Sequence, residues 1–215
     1  MDQKLLFLIN RQWTSAGLDW FMGALSCIAA WAPILVFLFL FLFLKGGFKM
    51  RAFLITAGLI VGINDGVVSQ TLKRVVDRPR PHQAMNDVRV VDLANAAPRT
   101  LALFKPAKVT LSRIGFGEVE GRSFPSGHTM NCFSAALVAL CFFGRRAAWG
   151  FGLAALVGYS RIYNGAHWPS DVVTSIFLAF GSTLMLMALA ERLWQRAGGR
   201  VLPQIHARHP SLLAT

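Results

Sequence analysis

The chain has 215 residues, 54% of them hydrophobic and only 15% charged. Soluble domains carry about a quarter charged residues, so the composition excludes an ordinary soluble globule and points to an integral membrane protein. A net charge of +12 would suit nucleic acid, but no soluble segment carries a basic stripe interleaved with aromatics. The charge is read instead as basic loops beside membrane helices, plus arginines for an anionic ligand.

In chain order, residues 1–17 open with Leu5, Leu6, Leu8, Ile9 and Trp13 set apart from Lys4, Arg11 and Gln12. The run is too short to span a bilayer and predicts an amphipathic interfacial helix. A first span is expected over about 18–44, with Pro33 as a kink site and Ile34 to Leu44 facing lipid. This run is too long for a signal-peptide core, and it ends at Lys45-Gly46-Gly47 without a small-residue cleavage site. Cys27, Cys132 and Cys141 all lie in apolar stretches without metal-ligand spacing, so they read as small core residues and not as a disulfide or metal set.

After the basic turn Lys45 to Arg51, a second span covers about Ala52 to Leu72 and carries Asn64 and Asp65. The polar stretch Lys73 to Pro81 follows. Its helix should end near Arg78, because a residue before proline avoids helical angles. Residues 82–122 hold no run long enough to cross, and are expected to form short helices or a hairpin capping a site. A third span covers 127–143, a fourth 147–163, and a fifth starts at Pro169, a favoured first helical residue, and runs to about Leu189. The tail 191–215, with Pro203 and Pro210, is expected to be disordered or surface-lying. Residues 18–190 then form one transmembrane domain in an all-α polytopic bundle. It has five spans plus the interfacial helix, or six if residues 2–13 join a split first span.

Five spans put the turns Lys45–Arg51 and Arg145–Arg146 and the basic tail on one side, which marks that side as cytoplasmic. Lys73–Pro81, Pro125–His128, Ser160–Arg161 and His167–Asp171 all fall on the other, outer face. Ionisable residues beside membrane segments are expensive and mark function. Lys73, Arg80 and Arg161 are three cations, and guanidinium forks match phosphate oxygens. Pro125-Ser126-Gly127 opens a helix whose first N–H groups suit an anion. Ser126 adds a hydroxyl, and Gly127 permits close approach. His167 lies four residues before Asp171, which can hold one ring nitrogen and leave the other as nucleophile. His128 is placed to protonate a leaving oxygen. Nucleophile, orienter, acid and anion cradle together make phosphoryl transfer through a phosphohistidine accessible.

Three motifs in this order, Lys73-x6-Arg80-Pro81, Pro125-Ser126-Gly127-His128 and Ser160-Arg161-x5-His167-x3-Asp171, resemble those of the type 2 phosphatidic acid phosphatase (PAP2) superfamily, which shares them with vanadium haloperoxidases. The resemblance covers roughly residues 50–190. It implies His167 as nucleophile, Asp171 as its partner and His128 as general acid, with Lys73, Arg80, Ser126, Gly127 and Arg161 holding phosphate. It also implies no metal ion and no other cofactor. The implied activity is that of a bacterial inner-membrane lipid phosphatase, acting on a lipid phosphomonoester or pyrophosphate at the periplasmic or outer face. Undecaprenyl pyrophosphate is the first candidate; phosphatidic acid, phosphatidylglycerophosphate and lipid A phosphate are the alternatives. Its partners are the lipid phosphate and the bilayer, with no nucleic acid. Rival readings are a binding or transport protein that keeps the cradle without turnover, and a metallohydrolase using the two histidines and Asp171 as ligands.

Overall fold

In the structure, a computed structural model that describes residues 1–114 and 122–213, the amino-terminal residues are helical as their spacing predicts. Helix α1 (Asp2–Phe7) runs into a wider, π-type turn, Leu8–Gln12. Leu6 and Ile9 are buried against protein, each burial contributing about 1.5–3 kcal/mol relative to exposure in water. Asn10 fixes the segment. Its Nδ2 donates to the carbonyls of Tyr163 (2.6 Å) and Arg89 (2.8 Å), and its Oδ1 accepts from the Arg89 N–H (2.9 Å). The segment is thus docked on the fold, with only part of its surface left to an interface.

The apolar run expected as one span is two helices, α2 (Ala16–Ser26) and α3 (Ile28–Lys45), broken at Cys27. The break lies six residues before Pro33, which sits inside α3. The two halves have different partners. On α2, Asp19 accepts two contacts from Arg89 Nη2 (2.8 and 3.0 Å) and one from the Tyr163 hydroxyl (2.7 Å), which ties α2 to the cap. By contrast α3 leaves Ile34 to Phe41 exposed, an arrangement that only a hydrocarbon surrounding favours.

Helix α4 (Phe48–Ile63), a π-type turn (Asn64–Ser69) and α5 (Gln70–Val76) form one continuous apolar helix. It stops at Asp77, whose φ of 44° is the left-handed cap expected just ahead of Pro79. A short helix, α6 (Pro81–Ala84), starts the connection. Strands β1 (Arg89–Leu93) and β2 (Ala107–Leu111) then pair antiparallel, Arg89 opposite Leu111, around a 3₁₀ turn at Arg99–Phe104. Both structures that the sequence left open for 82–122, short helices and a hairpin, are therefore present; residues 115–121 of that stretch lie outside the described residues.

The bundle closes with α7 (Gly127–Phe143), α8 (Trp149–Tyr163), α9 (Pro169–Val201) and α10 (Pro203–Arg208). Among the described residues, four helices are long and apolar enough to cross a membrane: Ile28–Lys45, Phe48–Val76, Gly127–Ala147 and Pro169–Val201. The expected fourth span, α8, has 15 residues, about 22 Å, against a hydrocarbon core of about 30 Å. Among the described residues, four helices therefore meet the length of a crossing by themselves, and the shorter α8 carries the chain back from the far turn to the site.

Of the two forms expected for the tail, disordered or surface-lying, the structure shows an ordered segment lying on the surface. Helix α9 continues past Leu189 to Val201, and the residues beyond it fold back. Glu191 Oε2 accepts from the Leu212 N–H (2.9 Å), and Trp194 Nε1 donates to the His209 carbonyl (2.8 Å). Trp194 and Leu212 complete an apolar cluster with Phe48 and Phe142, which a disordered tail would leave open.

Candidate active site

Helix ends from separate parts of the chain meet beneath the hairpin. Arg80 at the start of α6, His128 in the first turn of α7 and Arg161 in the last turn of α8 line one cavity of about 410 Å³, with His82, Asp92 and Asn164. Arg80 also borders a second basin, with Lys73, Arg78 and Arg122. A Cβ on Gly127 would stand 3.0 Å from Asp65 Oδ1 and 3.8 Å from Lys73 Nζ, so glycine lets α7 begin directly on that pair. Neighbouring Asn64 points elsewhere, donating to Ser134 (2.8 Å) and Thr183 (3.3 Å) inside the bundle.

His167 is 3% exposed. The turn before it needs Gly165, with φ +67° and no room for a Cβ beside the Arg89 carbonyl. The N–H groups of Ala166 and His167 both donate to the Arg161 carbonyl at 3.1 Å, so nucleophile candidate and cation share one rigid turn. His167 Nδ1 lies 2.6 Å from the Ser123 carbonyl. A ring nitrogen facing a carbonyl carries the proton, which leaves the Nε2 lone pair free. Burial, then the Arg161 and Arg80 charges, hold this imidazole well below its ordinary pKa and therefore neutral.

The sequence assigned the orienting place on the ring to Asp171; the structure gives it to the Ser123 carbonyl. Asp171 stands one bond further back. Its carboxylate accepts from the Ser123 hydroxyl, from the Trp168 N–H (3.2 Å) and from Arg78 Nη1 (2.6 Å). The reason is geometric. As a residue of the first turn of α9, Asp171 folds back on Trp168 as a helix cap does, and the loop carrying Ser123 fills the space between.

Ser126 also differs from expectation. Its N–H donates to Ser175 Oγ (2.8 Å), and its hydroxyl pairs with that of Thr129 (2.9 Å) inside the protein. It stands at the N-cap position without a side-chain capping bond and anchors α7 through these contacts, and the first-turn N–H groups of Gly127 and His128 are left for an anion. The guanidinium Nε atoms of Arg80 and Arg161 are both buried without a hydrogen-bond partner among the described residues. Two such donors beside two histidines are what a tetrahedral oxyanion satisfies. Among the described residues no three His, Cys, Asp or Glu side chains gather as a metal cage.

The sequence marks Arg78 only as a helix end and assigns Asp2 no role. In the structure Arg78 lies over the Trp168 ring (5.0 Å to its centroid) and bridges Asp171 to Asp2 through Nη2 (2.8 Å). Asp2 in turn accepts from the Ser170 N–H (2.9 Å). The only sequence signal was position: Arg78 sits between two motif residues. Arg78→Ala is expected to lower kcat by about 10-fold or more, with KM little changed, and Arg78→Lys to recover part of it. Thermal unfolding should fall by about 1–3 kcal/mol for the lost charged hydrogen bonds. Equal activity of Arg78→Ala and wild type would show that this bridge does not position the site.

A model of the PAP2 superfamily matches residues 53–195. The lipid A 4'-phosphatase of Bacteroides thetaiotaomicron is 25% identical over 193 residues, 86% of this chain and 75% of that protein. The undecaprenyl-diphosphatase BcrC of Bacillus subtilis is 30% identical over 155 residues, 71% of this chain and 63% of its own length. A shorter match, 36% over 70 residues, reaches the lipid A 1-phosphatase of Porphyromonas gingivalis and spans 16% of that protein. Among solved structures, a crystal structure of Aquifex aeolicus LpxE matches with a TM-score of 0.61 and 25% identity, covering 87% of this chain and 94% of that one.

Proposed function

The chain belongs to the PAP2 superfamily, and from that membership we propose that it is a membrane lipid phosphatase acting through a phosphohistidine. The observation that carries the reading is the pair of buried, unpartnered guanidinium nitrogens on Arg80 and Arg161, set beside a neutral His167 whose Nδ1 is already bound.

His167 Nε2 attacks phosphorus in line, and the bond from phosphorus to the lipid oxygen breaks. His128 gives its proton to that oxygen. Lys73, Arg80, Arg161 and the N–H groups opening α7 hold the three equatorial oxygens as charge redistributes. Water then attacks the phosphohistidine, His128 takes the water's proton, and inorganic phosphate leaves. Asp171 steadies His167 indirectly, through Ser123. No step calls for a metal ion.

Relatives named for lipid A and for undecaprenyl diphosphate support a lipid phosphate as substrate. Orientation with the site on the outer face of a bacterial inner membrane is supported by the basic far end. There the Lys45–Arg51 turn, the turn through Arg145 and Arg146, and the folded-back tail gather around Phe48 and Trp194.

The test is phosphate release by the purified protein from a panel of lipid mono- and diphosphates. It would be repeated with chelator, and in sealed right-side-out vesicles given an impermeant substrate. Release that survives chelator and occurs in sealed vesicles is expected. Loss with chelator would favour a metallohydrolase, release only after vesicle rupture would reverse the orientation, and binding without release would leave a lipid-phosphate carrier.

A further inference from the structure

A second cavity, of about 520 Å³, also borders His128. Its walls are Ile28 and Leu35 of α3, Cys132 and Ala135 of α7, and Leu153 and Val157 of α8. Apart from the His128 ring, the groups at its surface are almost entirely apolar. At its far end Gly150 faces Ala136, where a Cβ on the glycine would stand 3.4 Å from the alanine Cβ, so α7 and α8 pack directly and close the floor. From His128 to Ala136 the cleft follows eight residues of α7, about 12 Å. The outer wall is α3, whose apolar window is only 6% buried, so the cleft lies against the hydrocarbon layer. Ile28 and His128 border both cavities, so the apolar cleft adjoins the cationic one.

This adjacency places an apolar slot beside His128, the side chain assigned to the leaving oxygen. A phosphate held by Arg80 and Arg161 has its leaving group on the His128 side, and whatever is attached there must pass Ile28. A polar group would lose its hydrogen bonds in the slot, whereas a hydrocarbon chain leaves bulk lipid for an equally apolar wall at little cost. The volume and lining are those of a ligand site in which a few polar groups converge at one end.

We propose that this cleft between α3, α7 and α8 seats one hydrocarbon chain of the lipid phosphate substrate, drawn sideways from the bilayer so that the chain ends at His128. The proposal rests on the phosphatase reading above and adds a place for the chain. Seating the chain fixes the leaving oxygen beside the acid, so chain contacts should appear in kcat/KM for long-chain substrates and be absent for chainless ones.

The experiment compares wild type with Ala135→Phe and Leu153→Phe, which fill the slot from two different helices. Each is assayed on a farnesyl diphosphate and on p-nitrophenyl phosphate, which has no chain. Both variants should lose 10-fold or more in kcat/KM for the farnesyl substrate and stay within about threefold of wild type on the chainless one. Equal losses on both substrates, or none on either, would overturn the cleft as the chain site. Wild type inactive on every substrate would instead reject the phosphatase reading itself.

Should the bulky variants fail to fold, Cys132 supplies a second measurement. With Cys27 and Cys141 changed to alanine, Cys132 is alkylated by a maleimide in detergent. A long-chain alkyl phosphonate should slow that labelling at least fivefold, and methylphosphonate should not. Equal labelling under both would place the chain elsewhere.

Discussion

His167→Ala is expected to reduce phosphate release by roughly 10⁴-fold or more, the scale seen when a covalent nucleophile is removed, while the protein unfolds at a temperature close to that of wild type. Among the described residues the side chain makes one hydrogen bond, to the Ser123 carbonyl, so its removal costs the fold that one contact. The decisive measurement is brief exposure to labelled lipid phosphate followed by alkaline quench. Wild type should retain label on a histidine, stable to base and lost in acid, and His167→Ala should retain none. Label on the alanine variant, or turnover within tenfold of wild type, would move the nucleophile elsewhere. The sign of the pH effect follows from the buried, neutral imidazole: His167 stays unprotonated on acidification through the ordinary histidine range. Protonation of His167 in the free enzyme should therefore not contribute an acid limb near pH 6.5.

Arg161→Lys is expected to lower kcat by about 10²–10³-fold, as loss of a preorganised donor to a developing charge does. An ammonium keeps the charge but cannot present the planar fork. Vanadate, a phosphate mimic, should inhibit wild type and lose affinity in parallel. Arg161→Met should be inactive yet unfold at the same or a higher temperature, because Arg161 is desolvated by burial and held beside the like charge of Arg80. A variant that unfolds early and loses activity only in proportion would mark Arg161 as structural.

The motif residues were legible because their spacing is local. Lys73 and Arg80 flank a helix end, Ser126 and Gly127 open a helix, and Arg161 and His167 share one turn. What the sequence could not carry was which of these groups touch. The distance along the chain from His167 to Asp171 matches a direct pair, yet Ser123, 44 residues upstream, takes the ring nitrogen. Arg78 carries no local signal because its partners, Asp171 and Asp2, lie 93 and 76 residues away. The same holds for the fold. A continuous apolar run reads as one helix, and the break at Cys27 appears only once Asp19 has found Arg89 and Tyr163. The folded-back tail depends on Trp194 and Leu212 meeting Phe48 and Phe142, which no window of sequence contains.

The wide turn at Asn64–Ser69 sets the phase of the helix above it. In a regular α-helix the eight steps from Asp65 to Lys73 sweep about 800°, leaving the two side chains about 80° apart. A π-type turn absorbs about one residue of that sweep, so the total falls to about 700° and the two line up, which is how both reach Gly127. Chain length in this helix is therefore uneven in its consequences. Removing a residue inside the turn would straighten the rod and keep the alignment. Removing one between Gln70 and Lys73 would swing the lysine by about 100°, toward the lipid and off the anion.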